Sequence, residues 1–356
     1  TRRSSDLEPE TSYGSSPVIT VPNIAANTEL KPEKTKSFEF GIESSFFKSR
    51  AGFDITYYNA QTFNQVVPVP VSTASGNNSK YLNAGSVRNK GVEVSAYGTP
   101  IQNKIFSWTV NANWSRNKSE VEELAPGVNN LLLGTFATAA TINAPVGQPY
   151  GILRGTDFIY TNGQRTVDAN GRYLVTTSAN HDIGQVFPDW IGGINNSLRY
   201  KKLTLSFLID AKKGGDVFSA DMAYGLSSGL YPETAGLNDL GNPSRNTLAE
   251  GGGVILPGVT ADGKPNTIRV SNFESGSAYG YDHQPEKAFV YDASFVKLRE
   301  VILNYSLPAK LVSHVKIFKS IDLSLIGRNL WIIHKNLPYA DPEENLSPVL
   351  DRKSVV

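Results

Sequence analysis

The 356 residues predict an all-β chain, the wall of an antiparallel transmembrane β-barrel, and three observations carry that reading. Apolar and polar residues alternate with a period of two in four successive pairs of segments, the spacing of a sheet with one apolar and one polar face. The connections between those segments alternate between short and long. Aromatic residues gather where the segments end.

Composition agrees with strands and turns. Hydrophobic residues make up 40% of the chain, with 31 Gly, 16 Tyr and 16 Phe, a mixture that favours pleated segments and turns over helices. No apolar run reaches the roughly 20 residues a membrane helix requires, whereas barrel strands need only about 9 to 11 and show lipid a side chain at every second position. A formal net charge of +1 argues against nucleic acid as a partner, because a grip on phosphates needs clustered Lys and Arg. The absence of cysteine removes disulfides, thiolate zinc sites and cysteine nucleophiles.

Residues 1–35 are polar, hold Pro, Ser and Thr without periodicity, and read as a loop or irregular lead-in. In the first hairpin Phe38, Phe40, Ile42 and Phe46 alternate with Ser37, Glu39, Gly41, Glu43 and Ser45. Beyond the break at 48–52, Phe53, Ile55 and Tyr57 alternate with Asp54, Thr56 and Tyr58. The second hairpin sets Val92, Val94 and Ala96 beside Phe106, Trp108, Val110, Ala112 and Trp114, across a turn at 99–104. The third joins Trp190, Ile194, Leu198 and Tyr200 to Leu203, Leu205, Phe207 and Ile209 across Lys201 and Lys202. The fourth joins 295–307 to 319–333. There Lys297 and Arg299 fall on the same face as Val301, Leu303 and Tyr305, so a bulge is expected. Weaker signals at Phe158–Tyr160 and Tyr173–Val175 bring the candidates to about ten strands. Residues 36–334 are therefore read as a partial barrel and 335–356 as a loop or truncated tail.

The connections are short after Phe47, Gly98, Tyr200 and Leu307 and long at 60–83, 116–149 and 212–290, as expected of short periplasmic turns and long extracellular loops. The loops are rich in Gly, Asn, Ser and Pro and are not expected to form helices. Phe46, Phe47, Phe53, Phe106, Trp108, Tyr200 and Tyr305 lie near the short turns. Tyr57, Tyr58, Trp114, Trp190 and Trp331 lie near the long loops, so two aromatic girdles at headgroup level are expected.

Chemistry-bearing motifs are missing: there is no phosphate loop, dinucleotide fingerprint, His-Glu-x-x-His or Gly-x-Ser-x-Gly, and the four histidines lack metal-ligand spacing. Asp168–Gly171 reads as a turn, and Asp341, Glu343 and Glu344 as a solvated acidic loop. Glu39, Glu43 and Glu93, on polar strand faces, read as lumen wall and not as a hydrolytic pair. No catalytic, cofactor-binding or metal-binding residue is assigned, and the chain is not expected to be an enzyme. Sugar contacts, where present, would fall to loop aromatics such as Tyr224, Tyr279 and Tyr281, for which loop packing is the competing role. Two other readings remain: a secreted β-sandwich carbohydrate-binding module whose apolar faces meet in a dry core, and a β-fold glycosidase.

Several segments carry a resemblance. Leu30-Lys-Pro-Glu-Lys-Thr-Lys-Ser-Phe-Glu-Phe-Gly41, Phe53-Asp-Ile-Thr-Tyr-Tyr-Asn59, the run from Tyr81 to Val94, and Asn113-Trp-Ser-Arg-Asn-Lys118 come first. They are followed by Phe187-Pro-Asp-Trp190, Gly214-Gly-Asp-Val-Phe218, Ser294–Val301 with Tyr305-Ser-Leu-Pro308, and Gly327-Arg-Asn-Leu-Trp331 with Asp341-Pro-Glu343. In order and spacing these segments resemble the last part of SusC/RagA-like TonB-dependent outer-membrane transporters. The resemblance implies a 22-stranded barrel with an amino-terminal plug, driven by the TonB complex and capped by a SusD-like surface lipoprotein. It also implies import of oligosaccharides or peptides across the outer membrane of Gram-negative bacteria of the Bacteroidetes group. No leader, TonB box, plug or aromatic-terminated last strand is recognisable, so a carboxy-terminal barrel fragment in contact with outer-membrane lipid is expected.

Overall fold

The computed structural model describes residues 8–13, 16–20 and 24–343, apart from 73, 75, 84, 137–139, 273–277 and 313–316. Eight strands form one sheet: β1 (Lys34–Phe46), β2 (Ala51–Phe63), β3 (Ser86–Gln102), β4 (Phe106–Glu123), β5 (Trp190–Tyr200), β6 (Leu203–Lys213), β7 (Phe295–Ser306) and β8 (Asp322–Lys335). Every strand pairs antiparallel with its neighbours in sequence, an up-and-down meander running from β1 to β8. Among the described residues the two outer strands do not pair with each other, so the sheet is an open wall.

Register turns the alternation of each segment into continuous rows. One row runs Ile42, Ile55, Val94, Trp114, and a parallel one runs Phe53, Ala96, Ala112, Ile194, Ile209, Leu298. Towards the short turns, Leu198, Leu205, Leu303 and Leu325 line up, then Tyr200, Leu203, Tyr305 and Leu323. These rows are uncovered: Phe38 is 63% exposed, Phe40 57% and Leu325 73%. A sandwich would hide them beneath a second sheet, whereas a wall in lipid presents them outward, because hydrocarbon takes the place of a packed core. The opposite face carries Glu43, Asp54, Ser95, Asn113 and Asp210 in register.

The bulge expected in the fourth hairpin lies at Arg299. Leu208 pairs with Glu300 and Ile209 with Leu298, so Arg299 is the extra residue; β8 answers with its own irregularity between Arg328 and Trp331, where Asn329 adopts φ +50°. One inserted residue exchanges the faces of a strand. Lys297 thereby leaves the row of Val301 and Leu303 and stands opposite Asp210 on the polar face.

Several connections differ from expectation. The second turn shrinks to 103–105 because β3 continues through Gln102. The connection after Leu307 is longer than expected and contains the short helix Ala309–Val312. The lead-in is not wholly irregular: Glu8–Tyr13 pairs with Ser16–Thr20, and Ile24–Ala25 runs parallel to Ser79–Asn83.

The long loops are folded layers. Between β4 and β5, the segments Asn130–Thr135, Thr141–Pro145, Ile152–Gly155 and His181–Gln185 form a four-stranded sheet, with Ile142, Leu153 and Ile183 buried together. Phe158 bridges Val175, and Val167 bridges Tyr173 around the turn anchored by the Asp168 carboxylate, which accepts from the backbone N–H of Asn170 and Arg172. Between β6 and β7 the chain forms a helix after all, Ala220–Ser227. Its start is fixed by Ser219, whose hydroxyl accepts from the N–H of Met222, with Asp221 in the first turn. Met222, Ala223 and Leu226 pack with Phe218, Phe289 and Leu337 into the main loop core.

Candidate functional site

The polar face and the loop layer above it make the candidate site, a lumen wall and its roof. A groove of about 500 Å³ lies on the sheet, lined on its polar side by Glu43, Asp54, Ser95, Tyr97, Asn111 and Asn113. Alternation puts these residues together, since they take same-face positions on β1, β2, β3 and β4, two each on β3 and β4. Glycine keeps parts of the face flat. A Cβ on Gly91 would stand 2.5 Å from the Tyr58 hydroxyl, which donates to Asn117 Oδ1 at 3.1 Å. Glu43, expected to be lumen wall, lines the groove, and Glu39 and Glu93 share its strand-face parity.

The wall passes to the roof through a double glycine. Gly214 and Gly215, at φ +74° and +73°, let the chain leave β6 tightly: a Cβ on Gly214 would meet the Asp189 carboxylate at 2.6 Å, and one on Gly215 the Val186 carbonyl at 2.8 Å. Asp216 then accepts from the N–H of Gln185, and Ser294 accepts from the N–H of Gly214. Two resembling motifs, Phe187–Trp190 and Gly214–Phe218, are thus the two halves of one junction.

A second tie joins the segment after β8 to the polar face. Lys297 Nζ donates to Asp341 Oδ1 at 2.5 Å and to Glu343 Oε2 at 2.6 Å, while Arg299 reaches Asp210 at 2.8 Å and Glu343 at 2.5 Å. The Phe295 ring lies under these cations, its centroid 4.7 Å from Lys297 Nζ and 5.2 Å from the Arg299 guanidinium. Burial alone would raise the Glu343 carboxyl, but hydrogen bonds from Arg299 and Lys297 and their charges outweigh it and hold the group below the ordinary carboxylate range. Asp341 and Glu343 are therefore not a solvated acidic loop. They are the anionic half of a latch, with the Lys297 side chain only 4% exposed. Glu344 lies outside the described residues. The sequence held a signal for the cationic half, two charges on an apolar row, and none for the partners some 44 residues away.

Of the three loop aromatics proposed for sugar contact, Tyr224 and Tyr281 come together edge to face, with centroids 5.1 Å apart and 43% and 41% exposure. Tyr279 does not join them. It packs between two loop cores, where burial raises its hydroxyl above the usual tyrosine range. A further aromatic pair was missed: Tyr231 and Tyr339 stack at 4.2 Å and 7°, with Tyr231 bonded to Asp221 and Tyr339 to Glu233. Burial and the Asp221 carboxylate push the Tyr231 hydroxyl up to about 12.

With this geometry in place, residues 5–183 match the family described as TonB dependent receptor-like, beta-barrel. The chain belongs to that family. TonB-dependent receptor P3 of Formosa agariphila is 27% identical over 90% of this chain and 31% of its own length. TonB-dependent receptor SusC of Bacteroides thetaiotaomicron is 24% identical over 79% of the chain and 27% of its own length. The chain spans about a third of the length of the curated relatives it matches. Among solved structures, that of the RagAB peptide transporter superposes with a TM-score of 0.64 at 23% identity, covering 92% of this chain and 34% of that one. The wall described above is thus an outer-membrane β-barrel wall of the TonB-dependent receptor family. These relatives are named as TonB-dependent receptors and a peptide transporter.

Proposed function

We propose that this chain supplies lumen wall and extracellular loops to a TonB-dependent importer of oligosaccharides or peptides, and that it transports without catalysing. The observation that carries the reading is a polar sheet face bearing a groove, with junction and latch tying a folded loop layer to the long-loop end of the same sheet. Such a face offers carboxylates, amides and Tyr97 to a hydrated solute, and its apolar back suits lipid. In the parent protein a SusD-like surface lipoprotein would meet the loop layer, and the TonB complex would supply energy from the proton-motive force.

The test is uptake of fluorescent oligosaccharide and peptide pools by cells that make the full-length parent protein. Accumulation of one pool should disappear on deletion of the gene and on collapse of the proton-motive force. Uptake of both pools unchanged by deletion would reject the proposal, and hydrolysis of a pool by the purified protein would favour a glycosidase.

A further inference from the structure

The short-turn end of the wall carries charge of one sign. Its four turns are residues 47–50, 103–105, 201–202 and 307–321, and each brings Lys or Arg while none brings Asp or Glu. Lys48 and Arg50 stand in the first, Lys104 in the second, and Lys201 and Lys202 in the third. The fourth adds Lys310, Lys316 and Lys319. The long-loop end mixes both signs, with Arg88 paired to Glu122 and Arg154 to Asp182. Because 34 Lys and Arg balance 33 Asp and Glu over the whole chain, the bias belongs to the turns and not to composition.

Hydrogen bonds lace the turns into one arc. The Arg50 guanidinium donates to the Thr99 and Pro100 carbonyls at the foot of β3, the Lys201 N–H donates to the Ile105 carbonyl, and Lys202 Nζ donates to the Leu307 carbonyl. The Lys201 bond sets that residue one position from Lys104 across the two turns. Neighbouring turns lie two strands apart, about 10 Å, a distance over which ordinary salt only partly screens their repulsion. Lys48, Lys104, Lys201 and Lys319 are exposed and form no ion pair among the described residues. Asp322, at the foot of β8, stands on the polar face and accepts from the Ser306 hydroxyl.

The outward residues that border the arc are apolar. Tyr200 pairs with Phe106 on one side and Leu203 on the other, and Leu203 pairs with Tyr305. Tyr200 is 54% exposed and Phe47, beside Lys48, 78%. Lys201 Nζ lies 5.4 Å from the Tyr200 ring centroid. Unpaired ammonium groups at the edge of a lipid-facing aromatic row complement an anionic headgroup whose chains run along that row. A water-borne acidic partner would gain nothing from the rings.

We propose that the turn arc binds anionic glycerophospholipid of the inner leaflet, with Lys104 and Lys201 on its phosphate and Phe106 and Tyr200 against its acyl chains. Phosphate oxygens between the two lysines turn their repulsion into charge-assisted hydrogen bonds. The inference rests on the orientation of the wall in the membrane, with its short turns on the periplasmic side, and not on transport. Failed import would leave it standing.

The test uses the full-length parent protein in detergent, with phosphatidylglycerol, phosphatidylethanolamine of the same acyl chains, lipid A and inorganic phosphate as probes. Native mass spectrometry should show phosphatidylglycerol retained roughly tenfold more strongly than phosphatidylethanolamine, and high salt should erase the difference. Lys104→Gln with Lys201→Gln should remove most of that preference while heat-modifiable migration stays unchanged, and Lys104→Arg with Lys201→Arg should keep it. Lys264→Gln, in a distant loop, should change nothing. Equal retention of the two phospholipids, or a preference that survives the Gln pair, would overturn the proposal. So would inorganic phosphate displacing the lipid as readily as phosphatidylglycerol does, or tighter retention of lipid A through the same lysines, which would put the arc in the outer leaflet. Sedimentation with purified cell-wall sacculi that the Gln pair abolishes, without any lipid preference, would assign the arc to the cell wall instead.

Discussion

The wall and the loop layer bury their apolar residues in opposite directions. In the wall the largest apolar side chains point out of the protein, and Phe38 and Leu325 are among its most exposed residues. In the loops the same residue types turn inward in small clusters, with Phe289 and Leu337 1% exposed and Leu153 0%. The wall is thus held by hydrogen bonds between long neighbouring strands and by its solvent, the lipid, whereas the roof is held as a water-soluble domain is, by packing. Two lessons follow from the difference. Solvent decides which face of a strand counts as covered, and the two regions should respond to different perturbations.

The largest expected effect tests the packed half. Phe289→Ala empties the centre of the main loop core, and core Phe-to-Ala changes cost about 3–5 kcal/mol. Hydrogen exchange should quicken at Ala220–Ser227 and at 286–289 while β4, β5 and β6 keep their protection. Loss of protection throughout the wall would show that the two halves fold as one. Next comes the lipid-facing half. Ile194→Arg places a charge near the middle of an outward row, at about 2–4 kcal/mol in a bilayer, and Asn195→Arg, one residue along and facing the lumen, should cost much less. Folding of the two variants into vesicles, followed by heat-modifiable migration, gives the comparison. Equal costs would contradict the assignment of faces.

The latch joins the two regions, and its pH response has a definite sign. Glu343 has a lowered carboxyl pKa in the folded protein, so its contribution is fully present above the ordinary carboxylate range and is lost as pH falls through the lowered value. Acid should therefore release residues 336–343 from the polar face before the β-sheet itself melts, seen as faster exchange in that segment alone. Glu343→Gln should already be released at neutral pH and show a much flatter response. A segment that stays protected at every pH at which the sheet persists, and in Glu343→Gln as well, would mean that packing of Leu337, and not the ion pairs, holds it.

How far the sequence was readable follows the same division. Every wall hairpin was legible because a period of two depends only on neighbours along the chain, and even the Arg299 bulge announced itself through two cations on an apolar row. The roof was largely illegible. Its ties run between residues far apart, as where Glu286 accepts from the backbone of Thr156, 130 positions away, and no local pattern encodes such a contact. The helix Ala220–Ser227 is the instructive miss. Ser219 followed by Asp221 is a helix-start signal, and it lies in a loop whose Gly, Asn, Ser and Pro content argues against helices. The junction glycines were noticed as a motif, but their purpose needed the Asp189 carboxylate beside them.

The smallest predicted effect bears on the site itself. Tyr224 and Tyr281 touch edge to face at the exposed surface of the roof, and such a pair contributes about 0.5–1.5 kcal/mol beyond its buried area. Replacing both by Ala should leave wall protection unchanged and cost the roof little, because neither ring belongs to the buried set around Phe289. Tyr279→Ala should cost the roof more, since its ring contacts two of the loop cores. A role in solute binding predicts the reverse ranking for uptake by the full-length protein: the double variant should lower the apparent affinity several-fold, and Tyr279→Ala only in proportion to its loss of fold. Should the double variant import as well as the unmodified protein, the exposed pair would be loop packing, and the contacts that select the solute would lie on the polar face below.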